Sequence, residues 1–140
     1  MNIGKRLVKR PKIYLRDSGL LHQLLGIPDD DTLRGHPVRG SSWEGFVIEQ
    51  IISLLPDWEP WFYRTSHGAE FDLLMTRGER RLAFEIKVST APKLTKGFHE
   101  SRRDIDPERT FVISRSEETW TNKGSTYTHV AALREVLGEF

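Results

Sequence analysis

Cysteine is missing from this 140-residue chain, and with it go disulfides, thiolate metal sites and cysteine nucleophiles. That absence suits a reducing compartment, so a cytoplasmic location is expected. Long apolar runs are missing too. Nowhere do about 18 apolar residues follow one another as a membrane span requires, and Met1 to Arg16 carries charges where a signal peptide would carry an apolar core. A soluble protein with no membrane partner is expected. Net charge is almost absent at +1, which neither demands nor forbids a polyanionic ligand. Repeats and low-complexity tracts are also lacking. Gly35 to Gly40 has the spacing of a phosphate loop, but Ser41 and Ser42 stand where Lys and Ser or Thr should follow. No ATP site is therefore expected in this chain.

The length suits one domain with a single core of strands and helices. Charge is unevenly spread: Lys5, Arg6, Lys9, Arg10, Lys12 and Arg16 precede the first strand, with no acid before Asp17. Such an arm can meet phosphates, with Lys9 and Arg10 as candidate contacts, or it can be a solvated tail. Lys12 to Leu15 reads as a short extended piece. Asp17 or Ser18 can cap a small helix carrying Leu20, Leu21, Leu24 and Leu25, which Gly26 and Pro28 end. Residues 28–42 read as a surface loop of Asp, Gly, Pro and Arg. We therefore divide the chain into residues 1–40, a basic linker with a small helix, and residues 41–140, the main domain.

Trp43 to Leu55 gives the clearest helical pattern, with Trp43, Val47, Ile51, Leu54 and Leu55 on one face and Pro56 as its stop. Glu44 falls near the middle of that apolar face, whereas Glu49 points outward. Glu44 has a second reading, because Ser41-Ser42-Trp43-Glu44 is also a capping box in which its carboxylate reaches back to the Ser41 amide. Trp58 to Thr65, Phe71 to Met75, Leu82 to Val88 and Arg109 to Ser114 read as strands, the middle two as a hairpin across Arg77-Gly78-Glu79-Arg80. A four-stranded sheet is predicted, with Thr126 to Thr128 as a possible fifth, edge strand. Between Val88 and Thr110 a helix with Leu94, Phe98, Ser101 and Ile105 inward is long enough to cross between parallel strands. Its outward Lys96, Arg102 and Arg103 can line a nucleic-acid groove or form a solvated face. Thr128 can cap a last helix through Val130, Leu133 and Leu137.

Within the strands, three charges stand out. Alternation puts Glu85 and Lys87 on one face and Phe84, Ile86 and Val88 on the other, and Asp72 can meet the first pair across the hairpin. Charges inside apolar strands are costly unless paired or bound to an ion. Hard cations such as Mg²⁺ or Mn²⁺ take a few carboxylates and keep several waters, so Asp72 and Glu85 suffice as core ligands. The Ile86 carbonyl can join them, as can Glu44, directly or through water. Lys87 is then placed to orient a water or neutralise charge on phosphorus, and the reaction implied is phosphodiester hydrolysis. Glu44, Asp72, Glu85 and Lys87 are the catalytic candidates. The five histidines lack zinc-ligand spacing, and His67, in a turn near this site, reads as a surface residue.

Glu on a helix, Asp on a strand and Glu-Ile-Lys on the next strand resemble the PD-(D/E)xK phosphodiesterase superfamily, although Phe71 stands where the proline of that name would be. Finer likeness lies in Pro11-Lys12-Ile13-Tyr14-Leu15-Arg16-Asp17-Ser18-Gly19-Leu20-Leu21, Gly40-Ser41-Ser42-Trp43-Glu44-Gly45-Phe46-Val47, Tyr63-Arg64-Thr65-Ser66-His67-Gly68-Ala69-Glu70-Phe71-Asp72 and Glu85-Ile86-Lys87-Val88-Ser89. These segments resemble the C-terminal domain, long labelled as of unknown function, of a family of bacterial and archaeal AAA+ ATPases. The resemblance implies an α/β, restriction-endonuclease-like fold with a central mixed sheet of four to five strands flanked by helices. It implies DNA as substrate and an ATPase and winged-helix segment in the full protein. Met1 to Lys12 would then be the remains of a linker. The expected function is metal-dependent DNA cleavage; the alternative is a catalytically silent module that docks a partner or regulates the ATPase.

Overall fold

The computed structural model describes residues 15–66 and 68–140. The basic arm with Lys9 and Arg10, the Lys12 to Tyr14 part of the extended piece, and His67 lie outside those residues. Asp17 accepts the Leu20 amide and starts α1 (Ser18–Leu24), and Gly26 leaves it in the left-handed conformation that glycine adopts freely. The segment expected to be a loop contains more structure than that. Asp29 accepts the Thr32 amide and opens α2 (Asp30–Gly35), whose acidic first turn and Arg34 suit the helix dipole.

α3 (Arg39–Leu54) begins four residues before the predicted start, so it runs through the boundary placed at residue 40. This removes the capping-box reading of Glu44. Ser41 lies inside the first turn, where its hydroxyl donates to the Val38 carbonyl, and the helix starts at Val38 with no side-chain cap. Val47, Ile48 and Ile51 are buried along α3.

Six strands are present among the described residues, not four or five: β1 (Glu59–Arg64), β2 (Glu70–Arg77), β3 (Arg80–Ile86), β4 (Arg109–Ser114), β5 (Trp120–Asn122) and β6 (Ser125–His129). They form one mixed sheet in the order β1-β2-β3-β4-β6-β5. β1, β2 and β3 meander antiparallel, and Gly78 at φ +61° makes the tight β2–β3 turn. α4 (Lys96–Ile105), capped by Thr95, carries the chain to β4, which lies parallel to β3. Thr126 to Thr128 is not an edge. It belongs to β6, parallel to β4, and the short β5 covers its other side. The last turn starts at His129 rather than Thr128, as a 3₁₀ turn (Val130–Ala132) running into α5 (Leu133–Leu137).

The sheet is covered on both faces. On one, Val47 and Ile51 of α3 and Leu133 and Leu137 of α5 pack on Leu73, Met75, Leu82, Phe84, Phe111 and Ile113. On the other, Phe98 and Ile105 of α4 pack on Tyr63, Phe71, Leu74 and Ala83. The result is a mixed α/β architecture of three layers.

A candidate metal and phosphodiester site

β2 departs from regular alternation at the residues that matter. Trp61 pairs with Leu74 and Tyr63 with Phe71, so β1 advances two residues while β2 advances three. Asp72 and Leu73 together oppose Phe62, which is a β-bulge on β2. The extra residue explains why Phe71 and Leu74, three apart, both face α4. It also frees Asp72 from the pleat. The ladder between β2 and β3 ends at Leu73 opposite Phe84, and beyond it the Asp72 Oδ2 accepts the Ile86 backbone amide at 2.8 Å. A side-chain carboxylate thus takes over where a strand carbonyl would have been.

Glu85 follows Phe84 on β3 and shares, by alternation, the face of Ala83. It is 4% exposed. The Lys87 Nζ reaches its Oε1 at 2.5 Å, while its Oε2 is buried without a hydrogen-bond partner. Burial and then the charge of Asp72 push the Glu85 carboxyl up to about 7, against the opposing pull of Lys87. Lys87 is lowered by burial, but Glu85, Asp72 and Glu70 outweigh this and raise it. The excess of acids over bases contributes to both shifts, but burial is the larger cause for Glu85 and opposes the shift of Lys87. Lys87 itself is fixed by its amide, which donates to the Ile113 carbonyl of β4.

Asp72, Glu85 and Lys87 are therefore brought together, at the ends of β2 and β3. Glu44 is half-buried on α3 and does not line the groove into which Asp72 opens. Among the described residues no three or more His, Asp or Glu side chains are grouped so as to hold a metal. The donor set is two carboxylates and a carbonyl, too few for a closed cage but within the usual protein share of a hydrated Mg²⁺ site. Glu85 Oε2 gives the fit its physical reason, because a buried carboxylate oxygen beside a second acid is what a divalent cation would satisfy.

Two acids escaped the sequence reading. Glu70, half-buried and paired with Arg64 at 3.3 Å, adds to the negative potential at Glu85. Glu49 does not point freely outward: its side chain is 19% exposed and bound by Arg16, with Nε 2.9 and 3.0 Å from its two oxygens. This pair lines a groove with Asp72, Ile48, Ile52 and Trp61. Its signal was available, since Arg16 is the last cation of the basic arm and directly precedes the α1 cap.

The candidate nucleic-acid contacts on α4 divide. Lys96 is exposed beside Glu100 at 3.6 Å, and Arg103 is exposed. Arg102 is engaged in the fold, donating to the Lys123 carbonyl at 2.6 Å and the Gly124 carbonyl at 3.2 Å in the β5–β6 turn.

No helix among the described residues is long and apolar enough to cross a membrane. Over 116 residues the chain is 41% identical to "Uncharacterized protein Rv2008c" of Mycobacterium tuberculosis and, equally, to "Uncharacterized protein Mb2031c" of Mycobacterium bovis. The match covers 83% of this chain and 26% of each relative, so the chain spans about a quarter of their length. Residues 39–133, from the start of α3 to the start of α5, match the family described as Domain of unknown function (DUF4143), and the chain belongs to that family.

Proposed function

We propose that this domain is a divalent-metal-dependent DNA phosphodiesterase of the restriction-endonuclease-like type, working as one part of a longer protein that carries an AAA+ ATPase. The observation that carries the proposal is the buried Glu85 Oε2, without a hydrogen-bond partner beside Asp72 and Lys87. Asp72 and Glu85, with the Ile86 carbonyl, would hold Mg²⁺ or Mn²⁺. Such an ion polarises a phosphoryl oxygen and makes a bound water more acidic. The chain's own residues do the rest. The Ile86 amide fixes the Asp72 carboxylate before any ligand arrives, which lowers the reorganisation needed. Lys87 brings an ammonium with three donors, one committed to Glu85, so others remain for a phosphate oxygen or an attacking water. Burial of Glu85 excludes bulk water and strengthens each of these interactions.

The purified chain should nick or cut DNA in Mg²⁺ or Mn²⁺ when offered supercoiled, linear, branched and single-stranded substrates. Asp72→Ala and Lys87→Ala should each reduce the rate by at least about a hundredfold, the scale of losing one electrostatic contributor. Equal rates in wild type and variants would refute the assignment.

A second reading, a silent module that docks a partner or regulates the ATPase, has the Glu85–Lys87 ion pair in its favour. In that case the pair itself neutralises the buried acid, and divalent ions leave stability unchanged.

A further inference from the structure

A second concave feature is lined by none of Asp72, Glu85 and Lys87, but Val88, the residue after Lys87, borders it. It is a cavity of about 170 Å³ between α1, α2, the first two turns of α3, and the chain leaving β3 and β4. Val88 and Arg115, the residues just beyond the site lysine and just beyond β4, form one wall. Arg39, the first residue of α3, faces them, and Trp43 and Phe46 supply apolar surface with ring centroids 6.0 Å apart. The buried Ser42 hydroxyl, 2.6 Å from the His22 Nε2, gives a polar, pre-positioned group.

The charges do not cancel. Among the described residues neither Arg39 nor Arg115 has an ion-pair partner within 4.0 Å, while the one acid in the lining, Asp30, is held by Arg34 at 2.7 Å. Arg39 and Arg115 thus line one small cavity without a neutralising acid, at the positive end of a 16-residue helix. It also sits outside the carboxyl ends of the parallel strands β3 and β4, where open α/β sheets commonly receive ligands. Planar guanidiniums match the oxygens of phosphate in pairs. The cavity is smaller than the roughly 300–1,000 Å³ clefts that enclose whole drug-sized ligands. It suits a single phosphate group with its sugar against Trp43 and Phe46.

We propose that this cavity seats a second phosphate of the nucleic-acid strand whose phosphodiester lies at Lys87, with Arg39 and Arg115 as its binding residues. The proposal rests on the phosphodiesterase assignment and names the register it would use: one phosphate at the acidic cluster, another across Val88. The phosphate can be internal or terminal.

Binding is read by fluorescence anisotropy of a 3′-labelled single-stranded oligonucleotide, with a 5′-phosphate or a 5′-hydroxyl, in EDTA so that neither metal nor cleavage contributes. Arg39→Gln and Arg115→Gln should each weaken binding about tenfold. Each should also flatten the dependence of log K on log salt by about 0.7, the value for one phosphate contact on a single strand. Arg134→Gln on α5, outside the cavity, should leave both unchanged. Tighter binding of the 5′-phosphate form that disappears in the arginine variants assigns a terminal phosphate, and equal binding of the two forms assigns an internal one. Wild-type affinity and salt slope in both arginine variants would overturn the proposal, as would failure of the wild type to bind. Loss of binding in the variants without any metal-dependent cleavage by the wild type leaves the phosphate seat standing and removes only the nuclease assignment.

Discussion

Glu85 concentrates the site's physical tension. Its folded carboxyl titrates near 7 against an ordinary 4.5, because burial and Asp72 disfavour the charge more than Lys87 favours it. Below about pH 4 it is protonated folded or unfolded. Between there and about 7 the unfolded chain ionises first, so stability falls as pH rises; above both values the loss is complete. Its size is on the order of 3 kcal/mol. Urea unfolding should therefore show Glu85→Gln gaining on wild type markedly more at pH 8 than at pH 5, and a difference independent of pH would contradict this reading. The residues themselves were legible in the sequence, since a charged Glu-Ile-Lys set in an apolar strand is conspicuous. The unpartnered oxygen was not, because pairing geometry depends on where Asp72 falls across the hairpin.

That position is decided by β2, which the alternation rule alone misreads. Leu73-Leu74-Met75 is a run of three apolar residues, compatible with a strand buried on both faces, and nothing local marks Asp72 as the extra residue of a bulge. The start of α3 was hidden for a similar reason: Gly40, Ser41 and Ser42 are poor helix formers, yet the helix runs back to Arg39, with Ser42 buried and hydrogen-bonded to His22. α2 had its signals, Asp29 as cap and Gly35 as stop, but it is short and sat in a stretch that reads as loop. α4, by contrast, followed from periodicity, and its contact with β2 explains Gly97. A Cβ at Gly97 would run into the Gly68 carbonyl in the turn that leads into β2. Gly97→Ala should destabilise the fold by about 1–3 kcal/mol despite its better helix propensity. Thermal unfolding measures this, and an unchanged or raised midpoint would show that the turn yields freely.

Over the whole molecule, the antiparallel β1–β3 meander, the α4 crossover and parallel β4 were readable, because hydrophobic period and segment length specify them. The β5–β6 pair was only half seen. Its strands are short and rich in Ser, Thr and Asn, and β6 gains its place by pairing with β4, a long-range interaction that local composition does not display. Three layers then hold the ends of β2 and β3 rigidly, with α3 and α5 on one face and α4 on the other. Two acids and a lysine are thereby kept together at a repulsion that only folding of the rest sustains. A divalent ion bound between Asp72 and Glu85 would relieve this repulsion. The most direct measurement is the melting temperature at pH 8 with and without Mn²⁺, in wild type, Asp72→Asn and Glu85→Gln. Mn²⁺ at about a hundred times its Kd should stabilise the wild type by about 2.7 kcal/mol, or roughly 5–10 °C for a chain of this size, with little or no shift in either variant. No shift in the wild type, or the same shift in all three proteins, would contradict it.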